Sequence, residues 1–359
     1  MGSVFGKNIK ISLFGESHGE NVGVVIDNFP TGFKVDFENI RKELLRRAGG
    51  HDKLSTARRE KDEFRFVSGI FNGYTTGAPL CALIPNLDVH SSDYSDLKNK
   101  MRPSHADFTS FIKYSGFNDY RGGGHFSARV TVALVVAGAL AKQVLSTQDV
   151  AICSHIYSIG SVLDDSLDYV NISTEIAQKL LGSKFPTVSD DAASRMKDEI
   201  LSAKSDNDSV GGCVETAISG LPAGIGSPFF DTVEGVLAKL IFAIPAVKAV
   251  EFGKGTSISA MRGSEANDSL QIDQKIVATR TNNCGGVCGG ITNGMPLIVR
   301  ASFKPTPSIG KTQDSIDIKT RQNCTLQITG RHDPCIVPRA VPIVESVVAL
   351  GILDMLGGF

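Results

Sequence analysis

The stretch FGESHGE at 14–20 sets Glu16, Ser17 and His18 between two glycines, and RHDPC at 331–335 joins Arg331, His332 and Asp333 near the other end of the chain. A third polar loop, MRPSHAD at 101–107, again carries an arginine, a histidine and an aspartate together. Imidazole titrates near neutral pH, so a histidine in such a turn can hand a proton to a leaving group or hydrogen-bond a ring nitrogen. His18 and His105 are the candidates of this kind, because each sits in a turn with charged neighbours. No G-x-x-x-x-G-K-[ST] phosphate loop occurs. The seven cysteines are scattered without a C-x-x-C, and Cys284 and Cys288 stand among glycines with no nearby histidine, so no metal site is expected.

The basic residues point to an anionic ligand. In RGGGHFSARV, 121–130, three glycines lead into a long apolar helix, where free N–H groups and the helix dipole favour negative charge. Ser127 can cap that helix. Arg129 in its first turn opposes the dipole and calls for a compensating anion, either a ligand or a neighbouring carboxylate. Residues 36–48 read as a helix capped by Asp36 and ended by Gly49, with Phe37, Ile40, Leu44 and Ala48 on its buried face. Arg46 then points toward water, while Arg47 on the flank can present its guanidinium to a groove. The tract from Gly49 to Arg65 gathers Lys53, Arg58, Arg59 and Lys61, as a solvated loop or an anion site. KPTPS at 304–308 places Lys304, Thr306 and Ser308 beside Pro305 and Pro307, a rigid loop able to hold a phosphate.

These loops need elements to position them. Strands are expected at 9–14, 22–26, 65–70, 80–84, 210–219 and 297–303, and helices at 130–145, 189–205, 232–244 and 341–356. Strands joined by turns with long helices interspersed indicate an α+β fold. No low-complexity linker divides the 359 residues, so a single domain over 1–359 is expected. The passages 121–140 and 285–303 both run from a glycine-rich loop into an apolar element, compatible with an internal duplication. With 37 basic and 38 acidic residues, nothing global attracts nucleic acid or an anionic membrane. The apolar run 130–141 is too short to span a bilayer and reads as a buried helix. Unpatterned cysteines fit a reduced, cytoplasmic compartment.

Taken together, GESHGENVGVVIDNFP at 15–30, YRGGGHFSARVTVALVVAGAL at 120–140 and RHDPCIVPRAVPIVESV at 331–347 resemble the signature segments of the chorismate synthase family. RPSHADF at 102–108, NNCGGVCGGITNG at 282–294 and KPTPS match as well, in order along the chain. The resemblance implies a layered β-α-β-α arrangement of antiparallel sheets and helices, assembled as a homotetramer. It implies 1,4-anti elimination of phosphate and a C6 hydrogen from 5-enolpyruvylshikimate 3-phosphate (EPSP), giving chorismate with no net redox change but a need for reduced FMN. By similarity His18 is the general acid at the leaving phosphate, His105 meets the reduced flavin near N1, and Asp333 near N5 assists removal of the C6 hydrogen. Arg47, Lys53, Arg102, Arg129 and Arg331 match positions around the substrate's anionic groups. His125, Phe126, Ser127, Gly289, Lys304, Pro305, Thr306, Pro307, Ser308 and Arg331 match flavin contacts. Lys53 stands where many members have arginine, and Pro245 where many have asparagine. No nicotinamide fingerprint is present, so NADPH is expected only indirectly, through an external flavin reductase. A flavin oxidoreductase acting on an anionic small molecule and a non-catalytic anion-binding protein are the competing readings.

Overall fold

Two antiparallel sheets of five strands carry the architecture, and apolar helices pack on them. The computed structural model describes residues 2–50, 54–55, 61–87, 98–273, 276–328 and 333–357. The first sheet comprises β1 (Val4–Phe5), β2 (Lys10–Gly15), β3 (Asn21–Asp27), β4 (Arg65–Ser68) and β5 (Leu80–Pro85), in the spatial order β1-β2-β3-β5-β4. The second comprises β6 (Ala151–Ile159), β7 (Val162–Leu163), β8 (Gly212–Ser219), β9 (Val247–Phe252) and β10 (Leu297–Phe303), in the order β9-β10-β8-β6-β7. Strand period puts Val22, Val24 and Ile26 on the buried face of β3, and Leu80, Ala82 and Ile84 beside them on β5. The fold is α+β, as expected.

Among the described residues the α-helices longer than one turn are α1 (Phe37–Arg47), α2 (Asp107–Lys113), α3 (Thr131–Ser146), α4 (Thr174–Gly182), α5 (Asp190–Ser205), α6 (Val233–Ile241) and α7 (Val337–Leu356). α3 packs on β3 and β5, α7 packs on β6 and β8, and the two helices run along each other. Gly138 permits their approach, since a Cβ there would stand 2.2 Å from Cβ of Ser346. The segment Ala128–Ser146 is apolar and long enough to cross a membrane, but 83% of its apolar window is buried inside the protein. α7 starts four residues before the expected 341. Pro338 sits in its first turn, where a missing N–H breaks no hydrogen bond, and Pro342 is accommodated inside. The carboxylate of Asp354 near its end accepts the backbone N–H groups of Lys7, Asn8 and Ile9 at 2.9, 2.7 and 2.9 Å, tying the two ends of the chain together.

α1 begins as expected, with the Asp36 carboxylate accepting from Glu38 and Asn39 N–H. Its end differs. Ala48 leaves in an extended conformation, and Gly50 rather than Gly49 takes the left-handed φ of +81°. Arg46 also departs from expectation. α1 packs against both α3 and α7, so its second face is covered too. Arg46 pairs there with Glu43 (2.9 Å) and with fully buried Glu345 (2.6 and 2.8 Å), and Lys142 joins the same carboxylates. Burial pushes the Glu345 carboxyl up, but Arg46 and Lys142 outweigh it and hold it below the usual range.

On the second sheet, His155, Glu215, Arg300 and Glu251 are cross-strand neighbours along one row. Fully buried His155 lies 2.8 Å from Asp164 through Nδ1 and 3.1 Å from Glu215 through Nε2, and Tyr169 donates its hydroxyl to Glu215 at 2.6 Å. Burial alone would push the imidazole down, but Asp164 and Glu215 overcome that and raise it above the ordinary 6.5. The same bonds hold the two carboxyls below their ordinary values despite burial. A raised histidine stabilises fully below pH 6.5 and loses its contribution as pH rises through its folded value. The depressed carboxylates contribute above about pH 4.5 and lose it as pH falls. His155→Gln is therefore expected to melt lower and to flatten the decline of melting temperature above pH 6.5. A variant whose melting temperature falls as steeply as the parent's with rising pH would count against this.

Candidate active site

Three consecutive glycines bring the two candidate histidines together. Gly122, Gly123 and Gly124 have φ of +58°, +84° and +55°, conformations that a side chain resists. The arch they form lies against both rings. A Cβ on Gly122 would stand 2.3 Å from Cε1 and 2.5 Å from Nδ1 of His18, and one on Gly123 would stand 3.1 Å from Cε1 and 3.4 Å from Nε2 of His105. The arch is stitched to the GESHG turn, where Ser17 N–H donates to Gly124 O at 3.0 Å. His125 helps, with Nδ1 2.8 Å from Gly15 O and Nε2 2.9 Å from Ser3 Oγ, so both its ring nitrogens serve the protein's own frame. From the other side Asn86, just past β5, donates to the carbonyls of Glu16 and Gly19 at 2.9 and 2.8 Å. The buried Ser17 hydroxyl, 1% exposed, has no hydrogen-bond partner among the described residues and faces the arch, 2.7 Å from where a Gly122 Cβ would be.

His105 is set by Asp107, whose carboxylate lies 2.7 Å from Nδ1 and also takes Arg102 in a fork, Nε at 2.7 Å and Nη2 at 2.8 Å. Burial opposes the Asp107 charge, but Arg102 and His105 outweigh it and keep the group ionised. Burial likewise pushes His105 down, and Arg102 and Lys304 add to it, so the ring stays below its ordinary value although Asp107 pulls the other way. A neutral ring beside an ionised carboxylate carries its proton on Nδ1, which leaves Nε2 at the arch as an acceptor.

The 304–308 loop clasps two of the motifs at once. Lys304 Nζ donates to Ser104 O, Arg102 Nη1 donates to Ser308 Oγ at 3.4 Å, and Thr306 Oγ1 donates to Asp333 O at 2.7 Å. The prolines flanking Thr306 keep this connection stiff. Phe126 is partly exposed against Tyr114, and Ser127 accepts from Arg129 N–H at 3.3 Å, capping the short 3-10 turn Ala128–Val130 that leads into α3 rather than α3 itself.

Arg47 and Arg129 meet on one buried carboxylate. Asp62 takes Arg47 Nη1 at 3.2 Å on one oxygen and Arg129 Nη1 on the other. Arg47 also donates to Thr131 Oγ1 and Ala128 O, and Arg129 to Asn86 Oδ1 and Pro85 O. The charge that Arg129 calls for at the helix start is thus supplied by Asp62. Removing one partner from such a buried ionic cluster costs about 3–5 kcal/mol. A cavity of about 50 Å³ lies alongside, lined by Arg47, Thr131, Pro245, Phe303, Asp333 and Arg339 among others.

Lys53, Arg331 and His332 lie outside the described residues. Gly289 is on an exposed turn after Val287–Cys288, whose loop is anchored on Asp268, and no described contact ties it to His18 or His105. Pro305 is exposed and Pro307 partly buried on the clasping loop. The residues that sequence reasoning passed over are the connectors Asp62, Asn86, Asp107 and Arg339. Asp107 had a signal, lying two residues after His105 in the quoted loop. Arg339 lies six residues from Asp333 inside the quoted RHDPCIVPRAVPIVESV segment, whereas Asp62 and Asn86 are joined to the site by contacts between residues far apart in sequence.

A family model described as chorismate synthase matches residues 9–356. The chorismate synthase of Pyrococcus abyssi is 48% identical over 98% of this chain and 96% of its own length. That of Dehalococcoides mccartyi is 45% identical over 99% of this chain and 96% of its own. A crystal structure of chorismate synthase superposes with a TM-score of 0.76 at 27% identity, covering 98% of this chain and 92% of that one.

Proposed function

This chain belongs to the chorismate synthase family, and from that premise we propose that the glycine arch and the loops around it are where the reaction takes place. The family's enzymes are carbon–oxygen lyases of the shikimate pathway that eliminate phosphate from EPSP to give chorismate. The observation that carries the site assignment is the contact of two adjacent glycines with His18 and His105. His18 gives a proton to the departing phosphate oxygen. Arg47, Arg102 and Arg129, each already oriented by a carboxylate, hold the substrate's anionic groups together with Lys53 and Arg331. Asp333 assists removal of the C6 hydrogen from the opposite side, so acid and acceptor flank one substrate.

The residues present fit reduced FMN. The arch brings its bare backbone against the His18 and His105 rings where no Cβ would fit, the buried Ser17 hydroxyl has no partner among the described residues, and Lys304 is a cation pushed down first by burial and then by Lys248. Phe126, Ser127, Lys304, Pro305, Thr306, Pro307 and Ser308, with His125, Gly289 and Arg331, would hold the group. The chemistry that reduced flavin would supply there, when bound, is a transient loan of electron density during loss of the phosphate and the hydrogen. His105 accepts a hydrogen bond at Nε2 while neutral and donates there only as imidazolium. We further propose that the electrons come from an external flavin reductase using NADPH, that residues 1–359 form one domain with β-α-β-α layering, and that the enzyme works in the reduced cytoplasm, where its seven free thiols persist. It assembles as a homotetramer. The two-stranded ribbon Leu270–Asp273 with Ile276–Thr279 exposes Leu270, Ile272 and Ile276, each 70% or more exposed, and offers a face for self-association. Sedimentation of the intact protein as a monomer at micromolar concentration would remove this part.

Mixing protein, EPSP and chemically reduced FMN without oxygen tests the whole reading. The expected result is phosphate and chorismate in equal amounts with the flavin still reduced at the end. Flavin oxidised in step with product identifies an oxidoreductase instead, and no turnover leaves an anion-binding protein.

A further inference from the structure

We propose that Arg339 is a positioning residue for Asp333, acting through that carboxylate without touching substrate. The inference rests on the role proposed above for Asp333. Arg339 lies in the first turn of α7 and sends its guanidinium back toward the loop that precedes the helix. Nη1 donates to Asp333 Oδ2 at 2.5 Å, and Nε donates to the carbonyl of Arg47 at 3.0 Å. That carbonyl belongs to the last residue of α1, where helix carbonyls lack intrahelical partners and the dipole favours a cation. One rigid plane is therefore pinned at two points, and its position fixes where Asp333 points.

The need for such a pin follows from the local chain. Asp333 lies in no helix or strand, and its main chain is held by Thr306, which donates to its carbonyl. Thr306 fixes the backbone of Asp333, and Arg339 fixes its side chain. Both Asp333 and Arg339 line the cavity shared with Arg47, whose other walls are apolar apart from Thr131. Through Arg339, the carboxylate assigned to the C6 hydrogen is registered against the helix that carries Arg47, assigned to a substrate anion. A reacting group displaced by about 1 Å can lose on the order of 10²-fold in rate. Lysine could satisfy one of the two partners but lacks the planar fork that reaches both.

A double-mutant cycle tests this. Arg339→Gln, Asp333→Asn and the pair are compared for kcat and KM in the anaerobic EPSP assay. Arg339→Gln is expected to lower kcat roughly 10- to 100-fold with KM for EPSP nearly unchanged, and Arg339→Lys to recover part of the loss. On the Asp333→Asn background, Arg339→Gln is expected to cause no further loss. Equal loss on both backgrounds overturns the inference and assigns Arg339 to holding α1, while leaving the role of Asp333 intact. An Asp333→Asn enzyme with the parental kcat overturns the role of Asp333 and the inference with it. Should Arg339→Gln fail to fold, Arg339→Lys carries the same cycle.

Discussion

Alanine at His18 or at His105 is expected to lower kcat by about 10²–10⁴, measured as phosphate release from EPSP with chemically reduced FMN under anaerobic conditions. The two losses have different physical origins. His18 is buried against Gly122, in the GESHG turn that Asn86 and the arch hold from two sides. Its removal leaves the departing phosphate without a proton donor, while the arginines and their carboxylates stay in place. His105 works with Asp107, which fixes the proton on Nδ1 and also holds Arg102. Its removal strips one hydrogen bond from the Asp107 carboxylate but leaves the Arg102 fork. Alanine at His105 is thus expected to spare the binding of EPSP more than a change at Asp107 would. Near-parental rates in both alanine variants would refute the assigned roles.

Gly122→Ala is expected to be about as damaging as loss of His18 itself. The added methyl would stand 2.3 Å from Cε1 and 2.5 Å from Nδ1 of His18, and 2.7 Å from Ser17 Oγ, at a residue with φ of +58°. The left-handed backbone costs roughly 1–2 kcal/mol in a residue with a side chain. The overlap is the larger effect, because a buried ring cannot retreat without moving the turn that carries it. On the order of 10²-fold in kcat is expected from that displacement. Gly32→Ala separates the two contributions. Its φ is +74°, and a Cβ there would meet nothing within 4 Å, so strain appears without collision. That variant is expected to lose some thermal stability and keep its kcat. A Gly122→Ala enzyme that behaves like Gly32→Ala would show that the arch does not position His18.

Much of this was legible where the local pattern and the packing agree. β10 begins and ends as read, because Pro296 precedes it and Lys304-Pro305 follows it. Asp36 caps α1 as its type predicts, and Ser127 caps the turn that leads into α3, since a cap bond is made within three residues. Reading failed where a second surface decided the outcome. Arg46 is placed opposite the buried stripe of α1 by helical period, yet α7 covers that side with Glu345. The Arg129 side chain was seen to need a negative partner, but the choice between a ligand and Asp62 depended on a contact between residues far apart in sequence. The histidines of the site were visible as types in turns. The glycines that bring them to one place are legible only as an anion-favouring approach to a helix, because φ values and the rings they meet are properties of the fold.

α7 lies against α3 and the second sheet, and Asp354 near its end closes onto Lys7, Asn8 and Ile9, a contact that spans 347 residues for Lys7. Such pairings form only after the intervening chain has closed a loop of that length, so the seating of α7 comes late in folding. Until it is seated, the apolar side of α3 that it covers stays open to water and is the surface through which unfinished molecules aggregate.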